Sequence, residues 1–336
     1  MGAEGGNLTY QLISHVGLWN EGTMSRRDNG SAEFTPIAGG MADWGIGYAL
    51  TSFNDTKNNR RVQYAWVQED ITGDLGLFSV NQQGFQGSHS LPRELFVHEV
   101  SGVVDDGETA ENKNSVLVEE DGGTYLAQTL GVKPLAEVVE ALRQGCYAAR
   151  SYGSKTYSAS KILQKSGSSD MELKVTVGSA TGAVGVIIAA SPDMSEYTTI
   201  TYQPSNSTLL VERAHSSNFG DNVQTYTVTG YFHPYTISSG GEESSESITM
   251  DVFLDGSLVE IYVNDRFAMS TRIYPANSCS NGYGVYVEPG SKAAFESIEA
   301  WEDLLHIWPE RPLDSSSPLV YDTPAETNNS VWWPGN

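Results

Sequence analysis

From about residue 10 to 130 the chain carries short apolar runs broken by Gly, Asn and Asp: "YQLISHVGLW", "WGIGYALTSF", "RVQYAWVQ", "ELFVHEV", "NSVLVEE" and "TYLAQTL". Their length and punctuation predict antiparallel sheet. The period then changes once. Pro134 followed by Leu135, Val138, Val139 and Leu142 and closed by Gly145 forms an i, i+3, i+4 stripe with a Pro start and a Gly stop, which predicts a helix. After it, strand-like segments from "KTYSASKIL" to "AAFESIEAW" recur about every ten residues, the pattern of a β-sandwich. Ser238 to Ser247, "SSGGEESSES", reads as a solvated loop, and the Pro/Ser-rich tail from Pro309 as a terminal segment.

Within the second half, "DVFLDGSLVEIYVNDRFAMSTRIY" alternates at period two around Asp255-Gly256 and Asn264-Asp265, which predicts three strands of a meander. Glu260 lies among apolar neighbours there and needs a partner; Arg272 on the adjoining strand is the expected one, making Glu260 a structural residue. By the same logic Arg93, in "SHSLPREL" with His89 and Pro92, is expected to pair with a nearby carboxylate and hold the architecture.

Composition narrows the partners. Nineteen Lys+Arg against 42 Asp+Glu give a net charge of -23, which disfavours nucleic acid and anionic membrane and favours a neutral or cationic ligand. No apolar run reaches the roughly 18 residues of a membrane span. The start "MGAEGGNLTYQL" lacks the pattern of a signal peptide, so no export address is expected in this chain. Sequons at Asn7, Asn29, Asn54, Asn206 and Asn328 nevertheless point weakly to secretion. Cys146 and Cys279 have no metal-ligand spacing; buried thiols are expected, with one disulfide as the alternative, and no cofactor or metal is implied.

"DWGIGYALTSF", "RRVQYAWVQED", "SLPREL" and "VFLDGSLVEIYVNDRFAMSTRIYP", in that order, resemble glycoside hydrolase family 32, the β-fructofuranosidases and fructosyltransferases. The resemblance implies an all-β chain: the C-terminal part of a five-bladed β-propeller over residues 1–130, a linker helix in 131–150, a β-sandwich over 151–308 and a tail from 309 to 336. It also implies a secreted parent protein acting on sucrose, fructo-oligosaccharide or fructan by a retaining mechanism, which needs two carboxylates about 5 to 5.5 Å apart.

The family's Asn-Asp-Pro-Asn and Arg-Asp-Pro motifs have no match here, and Arg27-Asp28-Asn29 lacks the proline. Glu108-Thr109 and Glu326-Thr327 match the acid/base motif only as dipeptides, so no catalytic residue is assigned and the chain by itself is expected to be inactive. The start "GAEGGNLTYQLISHVGLW" resembles the segment that follows the acid/base Glu in fungal-type fructosyltransferases, which implies Glu4 and His15 as substrate-binding residues; the "DWG" match implies Asp43 and Tyr48, and Glu69 ends the strand "YAWVQ", where a rim carboxylate is expected to meet sugar. For Asp43 the alternative is a turn-ending residue, and for Glu69 and Asp70 a solvated strand end. The alternative for the whole chain is a non-catalytic carbohydrate-binding or propeller-completing subunit, partnered by an N-terminal propeller fragment or by another copy of itself.

Overall fold

A computed structural model describes residues 18–70, 87–111, 114–165, 167–220 and 223–305. The chain is all-β, with the predicted helix at Ala136–Gln144 separating two halves.

The C-terminal half is a two-layer sandwich. One sheet orders Lys155–Tyr157, Ala293–Glu302, Asp170–Ala180, Ile248–Asp255, Leu258–Val263 and Phe267–Arg272, with Ala148–Ser151 also on Ala293–Glu302. The other orders Lys161–Gln164, Gly282–Val287, Val184–Ala190, Thr198–Gln203, Thr208–Glu212 and Val228–Tyr231. Val175, Val186, Ile200, Leu209, Val259, Ile261 and Phe295 fill the space between the layers. The predicted meander is present, through antiparallel pairings of 248–255 with 258–263 and of 258–263 with 267–272.

The N-terminal half holds a hairpin, Leu18–Arg26 with Ala32–Met41, and a larger antiparallel sheet. In that sheet Arg93–Val103 lies between Arg60–Val67 and Tyr125–Pro134, flanked by Gly47–Asp55 and Val116–Glu119. The Leu18–Met41 hairpin is exposed along most of its length, so its sequence carries no alternation to reveal it.

Three expectations are corrected. Ser238–Ser247 is not a loop: Thr236–Ser239 and Glu242–Ser245 form a hairpin whose turn is Gly240-Gly241, both at positive φ. All four residues of the second strand are exposed, so polarity marked solvation and not irregularity, and Ile237 pairs with Val103 of the N-terminal sheet. Cys146 is half-buried and Cys279 exposed, and both are free thiols. Glu260 sits opposite Ser270, while Arg272 sits opposite Leu258, so the expected Glu260–Arg272 pair does not form.

The reason lies in which face Glu260 occupies. Val259, Ile261 and Val263 point into the sandwich core, so Leu258, Glu260 and Tyr262 point to the sheet's other face. That face is not solvated. A second apolar cluster, Val132, Val139, Phe253, Tyr262, Ala268 and Leu304 with Leu91 and Leu95 against it, covers it with the helix and the N-terminal sheet.

Candidate functional site

The residues singled out from the sequence converge on this junction. Asp43-Trp44-Gly45-Ile46 runs along the free edge of Phe267–Arg272: the Trp44 N–H donates to the Ala268 carbonyl at 2.9 Å and the Ile46 N–H to the Ser270 carbonyl at 2.8 Å. A Cβ on Gly45 would stand 1.7 Å from the Ser270 oxygen, so only glycine lets the two backbones close.

Arg93, wholly buried, is the hub. Its Nη1 donates to Asp43 Oδ2 at 2.8 Å, Nη2 to Glu260 Oε2 at 3.0 Å and to Ser270 Oγ at 2.6 Å, and Nε to the Tyr262 hydroxyl at 3.0 Å. Each carboxylate has further donors. Asp43 accepts from the Gly45 and Ser270 N–H groups and from Ser270 Oγ; Glu260 accepts from the Leu91 N–H and the Tyr262 hydroxyl.

Burial pushes the Asp43 carboxyl up, but the Arg93 guanidinium, Ser270 and Gly45 outweigh it and hold it below its ordinary value. At Glu260 burial prevails over Arg93, the Leu91 N–H and Tyr262, and the carboxyl is raised. The side chains are 0% exposed at Asp43 and Arg93 and 2% at Glu260, so the described residues enclose this network between the two halves.

A second knot lies at the strand end after Val67. Arg272 donates to the Val67 carbonyl at 2.8 Å and to Ser88 Oγ at 2.7 Å, and pairs with Glu69 at 3.3 Å. The Tyr274 hydroxyl donates to Glu69 Oε2 at 2.7 Å, and Arg213 joins Asp70 Oδ2 at 2.7 Å to the Arg272 carbonyl at 2.8 Å. Glu69 is buried in this knot, with its side chain 2% exposed, instead of projecting into solvent.

Tyr48 is placed differently. It is half-buried in an aromatic strip across the N-terminal sheet: Tyr48 packs on Trp66 at 5.9 Å, Tyr64 on Phe53 at 6.5 Å, and His89 on Tyr64 at 5.8 Å. Glu4 and His15 lie outside the described residues. Among the described residues no group of three His, Cys, Asp or Glu side chains could hold a metal ion, and no helix is long and apolar enough to cross a membrane.

Tyr262, Ser270 and Tyr274 escaped the sequence reading, because a hydroxyl in an apolar strand does not show which face it serves. The arginines did carry a signal: in so acidic a chain, a cation between apolar strand residues marks a buried carboxylate partner.

A β-sandwich bolted through buried arginines to a second antiparallel assembly defines a two-part all-β protein. Residues 138–302 match the family profile described as "Glycosyl hydrolases family 32 C terminal". An Aspergillus kawachii β-fructofuranosidase solved with glycerol superposes with a TM-score of 0.80 at 29% identity, over 92% of this chain and 55% of that one. A fructosyltransferase from A. japonicus gives 0.78 at 28%, over 88% and 50%. Fructan 6-exohydrolase of Triticum aestivum is 23% identical over 276 residues, 77% of this chain and 44% of its own length. The cell-wall β-fructofuranosidase of Pisum sativum is also 23% identical, over 249 residues, 69% of this chain and 41% of its own. Residues 138–302 thus carry the C-terminal domain of glycoside hydrolase family 32, and the chain as a whole is similar to the C-terminal portion of these enzymes. It spans about half the length of these relatives.

Proposed function

We propose that this chain is the C-terminal part of a retaining fructosyl enzyme acting on sucrose or fructans, with residues up to about 130 forming the end of a five-bladed propeller. The match to the A. kawachii enzyme over 92% of this chain but 55% of the other carries the reading. In it, the two carboxylates of the retaining reaction belong to the portion not matched here. Asp43 and Glu69 position the propeller end on the sandwich, while Tyr48, Glu4 and His15 supply sugar contacts: aromatic faces stack on sugar C–H surfaces and polar side chains bond hydroxyls.

The distribution of apolar surface supports this. Leu18, Met24, Phe34, Ile37, Phe53, Val97 and Val118, all before the helix, are exposed, against Tyr147, Met194 and Leu305 after it. A sheet that leaves such side chains uncovered fits further propeller strands packing on it, which also favours a propeller-completing role for the chain. The exposed sequon residues Asn29, Asn54 and Asn206 are accessible to glycosylation, in keeping with a secreted parent protein.

Incubation of the purified chain with sucrose and inulin, followed for glucose and fructose release, tests the proposal. No release is expected from the chain alone, and release is expected on adding an N-terminal family 32 segment that carries the carboxylate motifs. Turnover by the chain alone would refute the reading.

A further inference from the structure

The sandwich has a cavity of about 440 Å³, within the range of small-ligand pockets, that touches the junction only at Tyr274 and Ser257. Its floor is apolar, built by Ala189, Leu254, Ile273 and Pro275, with the rings of Phe219 and Tyr274 beside them. Its polar lining comes from hydroxyls and amides, among them Asn277, Ser280 and Asn281. No Asp, Glu, Lys, Arg or His lines it, although the chain as a whole carries a net charge of -23.

The walls are built around a carboxylate the cavity itself never meets. Glu196 is wholly buried and ties two loops together: Oε1 accepts from the Asn218 N–H at 2.7 Å and the Ala276 N–H at 2.9 Å, and Oε2 from the Asn277 N–H at 2.9 Å and Ser280 Oγ at 2.6 Å. One side chain thereby fixes the Phe219 wall and the 275–281 wall against each other. These donors outweigh the upward push of burial and hold its carboxyl below the ordinary value. Two further features lie at the cavity. Asn281 Oδ1 has no hydrogen-bond partner among the described groups, and Ala189 takes a left-handed backbone, φ 48°, unusual for a residue with a Cβ.

We propose that this cavity binds one neutral sugar residue, as a second carbohydrate site separate from the propeller contacts proposed above. An apolar and aromatic floor matches the C–H face of a sugar ring, hydroxyl and amide groups match its hydroxyls, and the lack of charge excludes an ionic ligand.

Ligand-observed NMR titration of the full chain with fructose, sucrose and citrate tests this. Saturable binding of fructose or sucrose and none of citrate is expected. Ser278→Trp, which fills the rim, and Phe219→Ala, which removes a wall, should each weaken binding at least tenfold with unchanged circular dichroism, while Val118→Ser, exposed on the N-terminal sheet, leaves it intact. The proposal falls if neither sugar saturates, if citrate binds as well, or if both cavity variants bind like the parent. The last result would place the sugar elsewhere on the chain, leaving the fructosyl-enzyme reading intact.

Discussion

Arg93 shows how one side chain can hold two halves of a molecule. Removing it strands two buried carboxylates, so Arg93→Ala should cost roughly 3–5 kcal/mol, read as a lower urea midpoint. Glu260→Gln should cost less, because burial already disfavours the charged form of its carboxyl and the amide keeps the shape. The buried acids also set opposing pH dependences. Asp43 and Glu196 have depressed values, so their stabilisation is complete above their unfolded values of 3.8 and 4.5 and is lost as pH falls through the lower folded ones. Glu172 is the reverse: burial, aided by the Asp251 charge and opposed by Arg143, pushes its carboxyl up to about 8. The folded state there binds a proton the unfolded chain has released, so stability declines as pH rises from 4.5 towards 8. Glu172→Gln should flatten that decline in thermal melts, and Glu196→Gln should flatten the acid limb.

Among the elements, the Asp43–Ile46 segment and the helix do the joining. Gly45→Ala drives a methyl into the Ser270 carbonyl and should separate the segment from the Phe267–Arg272 edge, seen as faster proteolysis of the N-terminal half while the sandwich persists. The helix is pinned at its last turn, where Arg143 stacks over Trp301 at 3.7 Å and donates to Glu172 at 2.6 Å. Its period, Pro entry and Gly exit were legible along the chain, and so was the meander, since both patterns are local. The Leu18–Met41 and Thr236–Ser245 hairpins were not legible as strands, because pairing of exposed backbone leaves no hydrophobic alternation behind.

For the whole molecule, the halves differ in completeness. The sandwich closes its core between two layers, whereas the N-terminal sheet and hairpin leave Met24, Phe34, Ile37 and Val97 uncovered. The chain alone should therefore bind an apolar dye such as ANS, and binding of a propeller segment should suppress that signal, as fluorescence titration would show.

The sequence by itself determined the all-β class, the sandwich, the position of the helix and the acidic character, because period, turn residues and charge are written residue by residue. It also marked Asp43, Glu69, Arg93 and Glu260 as residues that matter. Only the tertiary structure decided their partners. Glu260 turns outward, away from the sandwich core, and meets Arg93 167 positions away; Glu69 meets Arg272 across the same junction. A buried charge declares that it needs a counterion, but which one answers depends on how two sheets are docked, and no local pattern encodes that.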